Sequence, residues 1–425
     1  MTATVETGAL QNLFKRVYKD EIVNQLPSFA ELQRDWRFDT GNKTGDRYER
    51  AVMLRYPNGA TYGGSSVRRT AYAYNDARAG ATQPAYASPT EYTLREQVAY
   101  GLISSAASSE QAMAAAMDAI VMGMVEASRF HLETCLLYGA TSLGAIDSVG
   151  GSGTSGTAVI TKASWAAALW NASEGGEFDA YDPTLTTKRN TNGPIQLTSV
   201  NTTTRELALT YAAAGDRTAT LAGDVFVPVG ANGNWFAGLD SLITTSVAGT
   251  TTLGISPASY GMWKANSYAA GGVALTFLKV MSACAQIAAR GGMGDLKCIV
   301  SSWTFIDLMN EQAAFRRYTE SNGGEFTTGA KDVTYYGPNG GTVTITQHPL
   351  VKAGEAFIYS PGDFVRVGSS EPTFNLPGRT PDNPMFLLEL PANAGFEVRR
   401  WWDQTLFCDR LVRVGKITGI VNTSL

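Results

Sequence analysis

The stretch SSEQAMAAAMDAIVMGMVEASRFHLETCLLYG, residues 108–139, carries the plainest structural signal in the chain. Met113, Met117, Ile120, Val121, Met124, Val125, Leu132 and Leu136 recur at helical spacing and share one face. Ser108 and Gln111 form a capping-box pattern at the start, and Gly139 marks the stop. A helix over 108–138 is about 45 Å long, enough to act as a strut.

The segments before it lack a core of their own. Residues 9–26 place Leu10, Leu13, Phe14, Val17, Ile22 and Leu26 at helical spacing up to Pro27. That apolar face needs a partner, either its own domain or a neighbouring chain. Residues 46–100 alternate as strands, at 47–56 and from Val67 to Tyr74, between turn formers at Pro57-Asn58-Gly59, Gly63-Gly64 and 75–80. They are rich in Tyr and Arg and poor in aliphatic residues. A two-stranded ribbon is marginal alone, so this one is expected to lie against another surface.

After the helix the texture turns β-like and threonine-rich. Val159-Ile160, Ile195 to Val200, Arg205 to Tyr211 and Asp224 to Val229 read as strands, Trp165 to Trp170 as a short helix, and Gly150 to Gly156 as a flexible loop. Residues 145–231 are read as a small inserted β-domain. Residues 232–369 read as α/β, with helices over Leu275 to Arg290 and from Ser302 to about Gln312 flanking a buried strand, Lys297 to Val300. A hairpin, Val333 to Tyr336 with Thr342 to Thr346, follows, then strands at Ala356 to Tyr359 and Phe364 to Val367. The tail alternates at Met385 to Leu390, Phe396 to Trp402 and Leu411 to Ile420, as strands expected to return to the sheet beneath the long helix.

At 425 residues the chain exceeds one core, and about 150 residues per domain suggests about three units. Apolar residues make up 44 %, which excludes global disorder; charged residues are only 17 %, against about 25 % in an ordinary soluble domain. Few charges and 44 glycines fit a protein that gives much of its surface to other chains, although a β-rich secreted protein shares this balance. A net charge of −4 argues against binding nucleic acid through phosphate contacts. It suits a container whose wall should not grip enclosed DNA. Cys135, Cys284, Cys298 and Cys408 lie far apart in apolar runs and read as buried free thiols. With no signal peptide or membrane span legible, synthesis in a cytoplasm is expected, and the sequons at Asn42, Asn171, Asn201 and Asn422 read as chance matches.

No catalytic, cofactor or metal site emerges. His131 and Cys135 share a helix face, but zinc needs three or four ligands. His348 has no nucleophile motif beside it. Gly151, Gly153 and Gly156 match G-x-G-x-x-G, yet a strand rather than a helix follows. Glu174, Glu177, Asp179 and Asp182 lack EF-hand spacing and read as solvated turn residues. The pairs Arg68-Arg69, Arg316-Arg317 and Arg399-Arg400, interleaved with aromatics, fit subunit contacts better than single-strand nucleic-acid binding, because consecutive strand residues face opposite ways.

In order of parts the chain resembles the α+β, Hong Kong 97-like capsid fold of tailed-phage major capsid proteins, encapsulin shells and the herpesvirus capsid floor. The helix ending Glu133-Thr-Cys-Leu-Leu-Tyr-Gly139 looks like a phage-capsid ending. Trp235-Phe-Ala-Gly-Leu239-Asp240 resembles a Gly-Leu-Asp entry to a central domain, with Trp263 and His348-Pro349 in matching order. The resemblance implies an N-terminal arm (1–45), an extended E-loop (46–100), and a spine helix with P-domain (101–144, with part of 370–425). It further implies the inserted β-domain (145–231), an A-domain (232–369) and return strands of the P- and A-domains (370–425). It implies a subunit that forms hexamers and pentamers, encloses DNA without reading its sequence, touches no membrane and resides in the virion. Its expected partners are itself, a portal, with or without a decoration protein, and, because the arm starts near Met1, either a separate scaffolding protein or none. Expected inter-subunit contacts are Leu13, Phe14, Val17, Arg47, Arg50, Arg55, Arg68, Arg69, Tyr72 and Tyr74. An encapsulin-type nanocompartment shell, or a hydrolase with a β accessory domain, stays open as an alternative.

Overall fold

The computed structural model describes residues 30–41, 43–44, 46–63, 71–100, 110–315, 332–375, 388–391 and 393–423. The 9–26 pattern, the Ser108 cap, Arg68-Arg69 and Arg316-Arg317 lie outside the described residues.

The long helix runs Glu110–Tyr138. Its last turns are buried all round: Leu132, Leu136, Leu137 and Tyr138 are fully enclosed, as is Glu133. The one-sided pattern read from the sequence thus holds for a partly covered middle, where Met122 is exposed, and gives way to a core-penetrating end. Gly139 has a different duty from the one its position suggests. The left-handed residue after the helix is Ala140, at φ 60°. Gly139 instead lets two backbones meet, because Gly238 donates its N–H to the Gly139 carbonyl at 2.9 Å and a Cβ there would fall on the Phe236 carbonyl oxygen.

Around this strut lie four β-structures. One five-stranded sheet joins Phe38–Asp39, Phe364–Thr373, Gly395–Cys408 and Leu388–Glu389, with Thr90–Ala99 also paired to the long strand Gly395–Cys408. A three-stranded sheet holds Lys43–Thr44, Arg47–Arg55 and Ala81–Ala87. Six strands between Gly144 and Pro228 close into a barrel. The fourth is a mixed six-stranded sheet, in the order Asn266–Val273, Gly415–Ile420, Glu355–Tyr359, Leu296–Val300, Thr342–Gln347, Asp332–Tyr336.

Several local readings are corrected. Residues 150–156 are not a loop: Gly144–Ser152 and Ser155–Ile160 form a hairpin, with Gly151 opposite Gly156. Small residues that looked like linker chemistry allow the two strands to approach, since a Cβ at Gly151 would strike the Ser155 carbonyl oxygen. The acidic stretch contains a strand, Glu177–Tyr181, that buries Phe178, Asp179 and Ala180. Of the tail, Leu411–Arg413 is a 3₁₀ turn, and Gly415–Ile420 joins the six-stranded sheet rather than the one under the strut.

The barrel closes because its inward positions are filled. Ile146, Ala158, Ile160, Leu197, Leu207 and Leu209 are buried, and the Phe226 ring meets Trp170 and Phe178 edge to face while those two rings lie tilted against each other. That core is continuous with the core around the strut, whereas the six-stranded sheet and its helices Phe277–Ala289 and Ser302–Phe315 form a second one.

Candidate assembly surface

The ribbon strands Arg47–Arg55 and Ala81–Ala87 pair antiparallel, with Tyr48 opposite Ala87 and Arg55 opposite Ala81. The second strand was expected at 67–74, but residues 71–80 form none. Strand propensity favours the tyrosine-rich stretch, whereas pairing is decided by what lies flush on the domain: Ala85 and Ala87 are buried there, and residues 71–80 are all exposed. Pro84 is tolerated because Ala81–Ala87 is an edge strand.

The base of the ribbon is seated. Tyr48 and Leu54 are buried, and the Tyr48 ring meets Phe407 edge-on at 4.9 Å. Beyond Leu54 the ribbon leaves its domain. Tyr56 is 80 % exposed, Tyr62 91 % and Tyr74 83 %. The tip keeps its shape through its own bonds: Asn58 N–H to the Arg78 carbonyl at 2.9 Å and the Asn75 amide to the Ala60 carbonyl at 2.9 Å. Residues 46–80 carry six arginines against three carboxylates in a chain whose net charge is −4.

The expected contact residues divide accordingly. Leu13, Phe14, Val17, Arg68 and Arg69 lie outside the described residues. Arg47 pairs with Glu49 at 3.3 Å and lies 4.9 Å over the Tyr86 ring. Arg50 is engaged in its own chain, with Asp409. Arg55 is exposed, and Tyr72 and Tyr74 stand together on the tip, ring centroids 5.9 Å apart. Tyr56, Tyr62 and Met53 are exposed on the same ribbon and are not among the expected contacts. Strand alternation could have found Met53, whose neighbours Val52 and Leu54 turn inward; nothing local marks Tyr62.

The residues considered for chemistry are engaged within their own chain. Glu133 is buried where the strut, the short helix Glu31–Asp35 and His348 converge, and accepts from Leu32 N–H at 2.6 Å and Gln33 N–H at 3.2 Å. His348 Nε2 lies 3.1 Å from its Oε1. Burial acts to raise the Glu133 pKa, but His348 and the two amides outweigh it and hold the carboxyl below its usual range. Burial lowers His131 to about 4 and raises the Cys135 thiol to about 12, leaving both neutral near pH 7. All four cysteines are free and buried. Asp182 is occupied by Thr184, Thr186 and Thr187, and Asp179 by Lys188 at 2.7 Å. Among the described residues no group of three metal-ligating side chains converges, and no helix is long and apolar enough to cross a membrane.

No family model and no curated protein matches the sequence. Among solved structures, a chain of the capsid asymmetric unit of cyanophage A-1(L) superimposes with a TM-score of 0.53 at 14 % identity, covering 95 % of this chain and 96 % of that one. A native GTA particle capsid gives 0.48 at 8 % identity, covering 99 % and 100 %, and the SrpI encapsulin of Synechococcus elongatus PCC 7942 gives 0.40 at 9 %, covering 98 % and 95 %. The first of these likenesses, spanning nearly the whole of both chains, shows a shared fold.

Proposed function

From this Hong Kong 97-like fold, we propose that the chain is the major capsid subunit of a tailed double-stranded DNA phage. It assembles as hexamers and pentamers into an icosahedral shell around the genome and resides in the virion. The observation that carries the reading is the ribbon: a charged, tyrosine-rich arm whose described outer residues stand exposed, with Tyr56, Tyr62 and Tyr74 largely uncovered. Such an arm, laid on the next copy, makes a heterologous contact, and heterologous contacts close into rings when the rotation permits. Tyr and Arg are what protein interfaces enrich, while the acidic net charge leaves enclosed DNA ungripped. Assembly is this protein's activity, and no residue is given a catalytic role. A scaffolding protein, a portal and a decoration protein complete the set of partners the reading calls for.

The test is purification followed by negative-stain imaging and light scattering. Closed shells are expected from the intact chain. Replacing 59–77 by a two-residue turn should leave a folded subunit that forms none, because Asn58 and Arg78 already close the ribbon across the cut. Normal shells from that deletion would remove the arm from the assembly surface. Particles that carry a cargo enzyme instead of DNA would point to a nanocompartment.

A further inference from the structure

Among the described residues, three polar contacts join ribbon and domain. At the base Tyr86 donates its N–H to the Leu253 carbonyl at 2.9 Å, beside Gly254, where a Cβ would collide with the Tyr86 ring. Further out the Gln83 amide meets the Tyr260 hydroxyl at 3.0 Å. On the facing strand Arg50 Nη1 reaches both carboxylate oxygens of Asp409, at 2.6 and 2.5 Å, across 359 residues of chain.

Asp409 is firmly mounted. It follows the long strand Gly395–Cys408, and its N–H is bonded to the Asp363 carbonyl at 2.9 Å. The Asp363 side chain is itself taken by Arg413 at 3.0 Å, so it does not stand in as a partner for Arg50. Apolar packing is loose at the same place. A hollow of about 430 Å³ opens between Ala51, Met53 and Leu54 on the ribbon and Met262, Trp263 and Val412 on the domain. A strand beside a hollow can tilt about the packed Tyr48 and Leu54, and the charge pair at the edge of the hollow opposes that tilt.

We propose that Arg50 and Asp409 are positioning residues that fix the angle at which the ribbon leaves the subunit. Resting on the shell reading, they thereby set the curvature of the wall. Both side chains are partly exposed, 48 % and 24 %, so the contact is open to screening by salt. The subunit thus presents its arm at one preferred angle at low ionic strength and over a wider range at high.

The experiment measures the free subunit, so it stands apart from the shell reading. Spin labels on cysteines introduced at Tyr62, on the tip, and Thr198, on the barrel, report the angle as a distance distribution; the native cysteines are buried. A narrow distribution is expected for the parent, broadened by Asp409→Asn and by molar salt, and narrowed again in the charge exchange Arg50→Asp with Asp409→Arg. Exchange of the Tyr86 amide should quicken by up to about five-fold in Asp409→Asn, the equilibrium shift of an exposed ion pair, while barrel amides stay unchanged. A distribution of equal width in parent and Asp409→Asn overturns the positioning role. If the distribution broadens but Asp409→Asn shells keep parental diameter and uniformity, the link to curvature fails. If the parent forms no shells at all, the functional reading fails and the latch stands.

Discussion

Glu133→Ala is the most informative single change. The Glu133 carboxylate collects four donors, the Leu32 and Gln33 N–H groups, the Gln33 amide at 3.2 Å and His348 Nε2, and no part of it reaches solvent. Alanine removes all of these bonds at once and leaves buried donors without acceptors. Each such orphan costs about 1–3 kcal/mol, and breaking a buried charged set by deleting one partner costs about 3–5 kcal/mol. A loss of about 3–5 kcal/mol is therefore expected, concentrated where residues 30–39 meet the strut. The chain has more than one core, so a single global midpoint is the wrong observable. Urea unfolding of the unassembled subunit should be followed together with exchange of the Leu32 and Gln33 amides, which lose protection first. The pH dependence has a definite sign. The folded carboxyl titrates below its unfolded value of about 4.3, so its stabilisation is present above that value and is lost as pH falls through the lower, folded one. Glu133→Gln should abolish this acid-side loss. A destabilisation under about 1 kcal/mol, with the Leu32 and Gln33 amides still protected, would refute the account of Glu133 as the joint between arm, strut and sheet.

Gly139→Ala should destabilise by more than about 1 kcal/mol in thermal melts, because the new Cβ falls on the Phe236 carbonyl and parts two backbones that touch. Trp170→Ala empties the barrel centre and should cost about 3–5 kcal/mol, read as selective loss of amide protection between Gly144 and Pro228. Lys416 bridges Asp240 at 2.6 Å and Glu355 at 2.8 Å, so Lys416→Met leaves two carboxylates facing each other and should cost about 3–5 kcal/mol. Burial lowers the Lys416 pKa but Glu355 and Asp240 raise it further, so the bridge's contribution persists below the unfolded value of about 10.4 and fades as pH rises through the higher folded one. Alkaline titration of the parent should show that loss, and Lys416→Met should not.

How much of this was legible varies with the range of the interaction responsible. The strut, the helices Phe277–Ala289 and Ser302–Phe315 and the hairpin Asp332–Tyr336 with Thr342–Gln347 follow from spacing and turn residues, which act within a few positions. The first ribbon strand, with its arginines, was equally plain. The second was misplaced, because Ala81–Ala87 has little strand propensity and is chosen by a domain surface far away in sequence. Glu133 was marked only as part of a helix ending; its partner His348 lies 215 residues on, and no local pattern couples them.

Local periodicity, turn chemistry and composition thus sufficed for the long helices and the later hairpin, the absence of a disulfide framework and an arm with no core of its own. Closure of the barrel, the crossing of Gly139 with Gly238, the allotment of the last strand to the six-stranded sheet and the pairing of Arg50 with Asp409 were settled only in three dimensions. Each depends on which distant surfaces meet, and a residue's propensity is blind to that. Conformational preference is paid out over one or two turns of chain, whereas register, burial and ion pairing are decided by contacts that exist only once the whole chain has packed.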